Sequence, residues 1–368
     1  MSEVAIDAES TVWVRGAALT AYDVALLLTE GRGGTWQRSE ENAGDPKQIQ
    51  YVASGGEPRK IIFYSPSGRL MDPKTEIVPA GVLACIQQYQ GLLRQWGRDA
   101  HDPGCEVVPL NKMWVLLLHC AQECAQLMDS SVSALTLWRT AFMGLSVEAT
   151  LDPPIPAKTF TAAESLRNSL AVNHLEAPVT TGWLWARVWS GLYAELVAAL
   201  DRVPRSTREW KRFRRVAHNL EKFTFGPPEL TARKMVALFD AGILHVAAPH
   251  ESLPQEPLPQ GTVLIDAVTP GPGALQSPAP EGRPHNELVE TLLQNGAVSV
   301  RAGDRGLRTD LDGTCLAQDG SRSESLAALG RPTEDPTLGH DTLNRSLHRE
   351  YGGWAHRLTA LVTHQLDA

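Results

Sequence analysis

One stretch constrains this chain more than any other: TVWVRGAALTAYDVALLLTEG, residues 11–31. TVWV is apolar and β-forming, and it reads as a short buried strand that ends at Arg15-Gly16. LTAYDVALLLTEG then places apolar residues at helical spacing and closes on Gly31. A strand that meets a glycine and turns directly into a helix aims backbone N–H groups, and the positive end of the helix dipole, at whatever lies beyond the turn. That is the chemistry that holds a phosphate. The competing reading is a plain strand–helix turn with no ligand.

The spacing only partly meets the dinucleotide fingerprint G-x-G-x-x-G. Gly16 takes the first position, while Ala18 and Ala21 take the next two. Alanine is accepted at the last, which needs only close helix packing, whereas a methyl at Ala18 crowds the path of a pyrophosphate. A second β-forming run, Lys60 to Ser65, follows and turns at Pro66-Ser67-Gly68, so strand, glycine turn, helix and strand make a βαβ unit. The tip of this second strand reads FYSPSGR. It offers Ser65, Ser67 and Arg69 and no acid, which suits a ribose 2′-phosphate better than a free 2′-hydroxyl and favours NADP(H) over NAD.

The pattern then changes. Residues 1–77 form the Rossmann-like, NADP-binding-like βαβ unit, with Gly31 to Gly56 as a loop. Residues 78–250 form a helical insertion, broken at Asp152 to Pro156, Pro204 and Gly226-Pro227-Pro228. Residues 251–368 carry TVLIDAVTP, a clear strand, and further strands and helices that return to the core. The fold class expected is α/β: a Rossmann-like nucleotide-binding core, a large all-helical insertion and C-terminal strands completing the sheet.

Composition narrows the partners. With 34 Lys and Arg against 42 Asp and Glu, the formal net charge is −8, the reverse of what a nucleic-acid or anionic-membrane binder shows. The five cysteines are few, odd in number and scattered, which suits free thiols in a reducing compartment. The start MSEVAIDAES carries acids where a signal peptide carries bases, and no apolar run reaches about 18 residues, so the expected location is the cytoplasm.

GAALTAYDVALLLTEGRGG, followed by YVASGGEPRKIIFYSPSGR, resembles the second nucleotide-binding unit of the bacterial FAD/NAD(P)-binding protein family, distantly related to flavin-dependent lysine and ornithine N-hydroxylases. FGPPELTARKMVALFDAGILHV is similar to that family's helical region, and VLIDAVTPGP through GSRSESLAALGRPTEDP to its C-terminal return to the flavin domain. The likeness runs from about Thr11 to Pro336. It implies that Gly16, Thr20, Arg32, Gly33 and Gly34 face the nicotinamide cofactor, and that Gly330, Arg331, Pro332 and Thr333 lie beside the flavin.

The resemblance implies NADP(H), and FAD as a second cofactor, acting on a small-molecule substrate in an oxidoreductase similar to an N-hydroxylating monooxygenase. The family's opening strand, with its G-x-G-x-x-G for the FAD pyrophosphate, has no counterpart here. A partner chain or homodimer supplying that half, a lost flavin site and a truncated sequence are the three readings. The rival class is a non-redox descendant that keeps the scaffold to bind a ligand or a protein.

Other candidates each have a bland reading. The basic run RVPRSTREWKRFRRVAH could steer an anion or form a solvated helix face paired with acids. Trp183, Trp185 and Trp189 could wall a pocket or fill a core. Cys120 and Cys124 share a helix face, yet two soft ligands make a poor zinc site, so they read as core thiols and no metal is expected. The eight-residue spacing of His340, His348, His356 and His364 reads as chance, with Gly352-Gly353 breaking any continuous helix.

Overall fold

The structure is a computed structural model that describes residues 6–38, 49–149, 160–277, 282–301, 303–334, 338–339, 347–348 and 350–366. The break expected at Asp152 to Pro156 and the side chains of His340 and His364 lie outside them. The chain divides into two compact units: Met1–Cys85, Leu118–Ser190 and Arg215–Thr269 form the first, and Ile86–Leu117, Gly191–Arg214 and Pro270–Ala368 the second. The stretch 78–250, expected as one insertion, is therefore shared between the units.

In the first unit, β1 (Thr11–Arg15) fully buries Val12 and Val14. The chain passes through Gly16 into α1 (Leu19–Leu28) and forms a hairpin of β2 (Thr35–Arg38) and β3 (Ile49–Val52). It then returns as β4 (Lys60–Tyr64), parallel to β1 with Val12 opposite Ile61. Helices α2 (Ala80–Ala100), α3 (Leu110–Leu127), α4 (Ala134–Met143), α5 (Ala162–Asn173), α6 (Thr181–Leu200), α7 (Thr207–Thr224) and α8 (Glu229–Asp240) follow in chain order, with α2, α3, α6 and α7 divided between the units. After them come β5 (Leu244–Val246) and β6 (Thr262–Asp266).

The four parallel strands stand in the order β5-β4-β1-β6. Tyr22 and Ala25 of α1, Leu166 and Leu170 of α5, and Met235 and Leu238 of α8 close one apolar core with Val12, Val14, Ile61 and Phe63. The molecule is thus mixed α/β, with β1 and β4 burying alternate residues, Val12 and Val14 and Ile61 and Phe63, in this core.

Two sequence expectations need correction in this unit. Gly31 to Gly56 is not all loop: β2 and β3 pair antiparallel, with Trp36 packed on Tyr51 at 4.8 Å between ring centroids. The sequence hid the hairpin because three of the four β2 residues are exposed and the strand buries no apolar stripe. Residues 78–250 are not all helix either. At Gly242 (φ 70°) α8 ends, and β5 joins the sheet edge, where Ile61 N–H donates to the Ile243 carbonyl at 2.8 Å.

The second unit contains α9 (Glu287–Gln294), β7 (Thr314–Leu316), β8 (Arg322–Ala327) and α10 (Glu350–Leu366). Of the C-terminal strands expected to return to the core, β6 does, whereas β7 and β8 pair antiparallel with each other. Helix α10 runs through Gly352-Gly353, which was expected to break it. Gly353 serves packing instead: a Cβ there would come within 3.3 Å of Asp312 Cα, so its absence lets the helix approach the turn before β7.

Gly34 has a similar role in the hairpin. A Cβ on it would lie 1.8 Å from Tyr51 Oη, and that hydroxyl is fixed by donating to Glu57 Oε1 at 2.6 Å. Gly34→Ala must displace Tyr51 and break that bond, and we expect a loss of about 1–3 kcal/mol, read by urea denaturation. A variant as stable as the parent would show that Tyr51 is not held.

Candidate functional site

Two places in the first unit assemble chemistry. The first is the C-terminal edge of the sheet. Gly16 adopts φ 120°, its N–H donates to the Tyr64 carbonyl at 2.8 Å, and a Cβ on it would meet the Ala267 backbone at 3.3 Å. Glycine is required here both by conformation and by the close passage of the chain after β6. Ala18 precedes α1 in an extended conformation with no side-chain cap, and Ala18, Leu19 and Thr20 are exposed.

The tip of β4 stands beside this turn through the Gly16–Tyr64 bond. There Ser65 Oγ lies 3.5 Å from Ser67 Oγ, and Arg69 is exposed. On the other flank, Arg15 and Asp266 form an exposed ion pair at 3.0 Å. Gly16, Ala18, Thr20, Ser65, Ser67 and Arg69 therefore belong to one edge.

The remaining sequence candidates lie elsewhere. Arg32 ends the 3-10 turn at the opposite end of α1, about 15 Å away along a ten-residue helix. Its guanidinium donates to the carbonyls of Ile6 at 2.8 Å and Gly56 at 3.0 Å, which ties the hairpin to the N-terminal segment. Gly33 (φ 93°) and Gly34 shape the start of that hairpin. Gly330, Arg331, Pro332 and Thr333 belong to the second unit. There Gly330 turns at φ 77°, Thr333 is buried and donates to the Gly330 carbonyl at 2.8 Å, and the Arg331 and Pro332 carbonyls accept from Gly273 N–H and Leu307 N–H.

The second place is a cavity of about 370 Å³, lined by Asp72, Ser146, Phe160, Ser169, Val172, Asn173, Trp183 and Arg187 among others. Helix α6 puts Trp183 and Arg187 one turn apart on the same face, with the guanidinium 5.5 Å from the Trp183 ring centre. Arg187 is 6% exposed and Trp183 5%. Arg187 Nε and Trp183 Nε1 are both buried with no hydrogen-bond partner among the described residues. Burial pulls Arg187 down to about 10, against the charge of Glu229, so it stays cationic at neutral pH.

Opposing it, Asp72 follows the β4 tip by three residues. Burial pushes its carboxyl up from 3.8, against the Ser169 hydroxyl, which donates to it at 2.8 Å, and the charge of Arg69. Asn173 braces the same wall by donating to the carbonyls of Pro73 and Lys74. Gly182 lets α6 close against Ser146, whose hydroxyl a Cβ would meet at 2.7 Å. Neither Asp72 nor Arg187 was singled out from the sequence. The one signal available was a lone arginine inside the Trp-rich stretch TGWLWARVW.

The three tryptophans divide between the two expected roles. Trp185 donates to the Leu137 carbonyl at 2.8 Å from full burial, Trp189 is also fully buried, and Trp183 walls the cavity. The basic run is partly paired inside the second unit: Arg202 binds Asp201 and Glu350, and Arg205 lies over the Trp210 ring at 3.4 Å beside Asp304. Cys120 and Cys124 are joined by Cys85 of α2, the three buried sulfurs lying within 4.8 Å of one another. The sequence pairing missed Cys85, 35 residues earlier than Cys120. Three soft donors form a set that a thiophilic ion can use; burial pushes Cys85 up to about 12, which leaves that thiol protonated as a core group.

Asp72 ties this cavity to pH. Its folded pKa lies above its unfolded value, so its contribution to stability is fully present below the unfolded pKa near 3.8 and is lost as pH rises through the folded value. Asp72→Asn keeps the volume and an acceptor for Ser169, and cannot ionise. We expect the variant to be more stable than the parent at neutral pH and to lose most of that advantage in acid, as measured by urea denaturation across pH. A parent advantage at neutral pH would contradict burial of the carboxyl. Neither known protein families nor curated proteins give a match to this chain.

Proposed function

We propose that this chain is the nicotinamide-cofactor-binding part of an NADPH- and flavin-linked oxidoreductase, similar to an N-hydroxylating monooxygenase, built on a Rossmann-like core. The observation that carries the reading is the edge where β1 turns through Gly16 into α1 at the centre of four parallel strands. Counted in chain order, those strands stand 3-2-1-4, so the connections part in opposite directions beside β1. Open parallel sheets bind their ligands outside the strand C-termini at such a switch point.

The residues at that edge fit a dinucleotide phosphate. Gly16 leaves the turn without a side chain, and α1 has neither a side-chain cap at Ala18 nor an acid in its first turn to compete for its N-terminal amides. Ser65, Ser67 and Arg69 at the β4 tip are positioned to receive a 2′-phosphate, with Arg69 supplying the charge. NADPH supplies hydride and a flavin passes electrons to oxygen. The chain's part is to hold and orient the nicotinamide dinucleotide. FAD is the second proposed cofactor, assigned to Gly330–Thr333 on the family resemblance alone; the partner, a protein or a second copy of this chain, would complete the flavin half. The cytoplasm is the proposed location. No helix among the described residues is long and apolar enough to cross a membrane.

The alternative reading, a non-redox ligand-binding module, is favoured by one observation: Arg187, buried and with its Nε unpartnered among the described residues, lines a cavity of its own.

Calorimetric titration with NADPH and NADH tests the first reading. The wild-type chain should prefer NADPH. Ala18→Gly should tighten both by up to about tenfold by opening the path to the pyrophosphate. Arg69→Ala should weaken NADPH more than NADH. Unmeasurable binding of NADPH to all three proteins at millimolar concentration would remove the cofactor assignment and leave the ligand-binding reading.

A further inference from the structure

We propose that the cavity around Arg187 is a binding site for a small organic monocarboxylate with an apolar body, gripped at its carboxylate by the Arg187 guanidinium. This inference does not rest on dinucleotide binding at the sheet edge.

The first ground is an unmet need. A guanidinium offers five N–H donors, and burying it without partners is among the costliest arrangements a protein can hold. Arg187 is 6% exposed, its Nε has no hydrogen-bond partner among the described residues, and it lines the cavity beside Trp183. A cationic side chain with several donors on the wall of a cavity calls for an acceptor-rich anion. The face of the Trp183 ring holds the guanidinium in place without consuming its hydrogen bonds.

The second ground is the charge balance. Behind the wall, Glu229 Oε2 lies 2.8 Å from His174 Nε2, and Arg233 Nη2 lies 3.1 Å from the same nitrogen. The charge of Glu229 acts on Arg187 as well. Burial favours the neutral form of Asp72 on the cavity wall. Among the lining residues Arg187 is the one cation, and a phosphate dianion would bring a second negative charge close to Glu148. Carboxylate is therefore the better match.

The third ground is shape. Phe160, Val147, Val172, Pro178 and Phe223 supply apolar walls, and Ser146, Ser169 and Thr180 supply a few hydroxyls. About 370 Å³ is at the small end of ligand pockets, enough for a carboxylic acid with a single ring or a short chain.

Benzoate and hexanoate are the probes, with benzamide and hexanamide as neutral isosteres and phenyl phosphate as the dianion control. Binding is read by calorimetry and by thermal shift on the whole chain. The wild type should bind at least one carboxylate saturably, at least about tenfold more tightly than its amide, and phenyl phosphate more weakly. Arg187→Met keeps most of the volume and removes the unpaired charge. It should melt higher than wild type without ligand and lose the carboxylate response. Ser165→Phe, at the exposed rim, should fold normally and block entry. Equal response to acid and amide, tighter binding of phenyl phosphate, no saturable binding of either acid, or an Arg187→Met protein that retains binding would each overturn the proposal. An Arg187→Met protein that folds but melts lower than wild type would mark the guanidinium as structural and overturn it as well.

Discussion

The first unit depends on the parallel pairing of β1 with β4 on one side and β6 on the other. Thr11 to Arg15 face Lys60 to Tyr64 and Thr262 to Asp266 residue for residue, so segments about 50 and about 250 positions apart are clamped to one central strand. Parallel strands cannot be joined by tight turns, so each pairing requires a crossover, and the helices that make those crossovers also bury the sheet. Val12 and Val14, fully buried between neighbours, contribute several kcal/mol through apolar burial alone. Gly16 then releases the chain at the one point where β4, β6 and α1 crowd together. An added side chain there meets the Ala267 backbone.

What the sequence made legible follows from range. The βαβ unit was readable because strand, glycine and helix are contiguous and each carries its own period. The second strand was readable from Lys60 to Ser65 because its apolar run is bounded by a proline-glycine turn. The β2–β3 hairpin was not, because most of β2 is exposed and its anchors, among them the Trp36–Tyr51 contact and the turn around Glu57, are tertiary. β5 is three residues long, and only the sheet edge beside β4 makes it a strand. Gly352-Gly353 misled because glycine weakens a helix locally, while the close approach to Asp312 that it permits is a tertiary fact.

The same divide separates the two sites. Gly16, Ala18, Ser65, Ser67 and Arg69 could be grouped at one edge from the sequence because strand, glycine turn and helix are contiguous. Arg32, Gly33 and Gly34 follow closely in sequence, yet α1 carries them to its far end, where Arg32 is spent on two carbonyls. The cavity was invisible because its wall is drawn from segments around residues 72, 146–148, 160–187 and 223, and its key residue sat among tryptophans that read as core. Burial of an unsatisfied guanidinium is a property of the assembled structure. It is the ground on which a ligand is proposed, since folding alone would favour an apolar residue there.

The central claim, that the β1–α1 edge holds a nicotinamide dinucleotide phosphate, is tested most directly by backbone amide NMR on titrating NADPH. The account predicts the largest shifts at Gly16, Ala17, Ala18, Leu19 and Thr20 and across Ser65 to Arg69, with the amides of Gly33 and Gly34 nearly unmoved. Shifts absent from the Gly16 turn at saturating NADPH, or centred on Arg32 to Gly34, would contradict it.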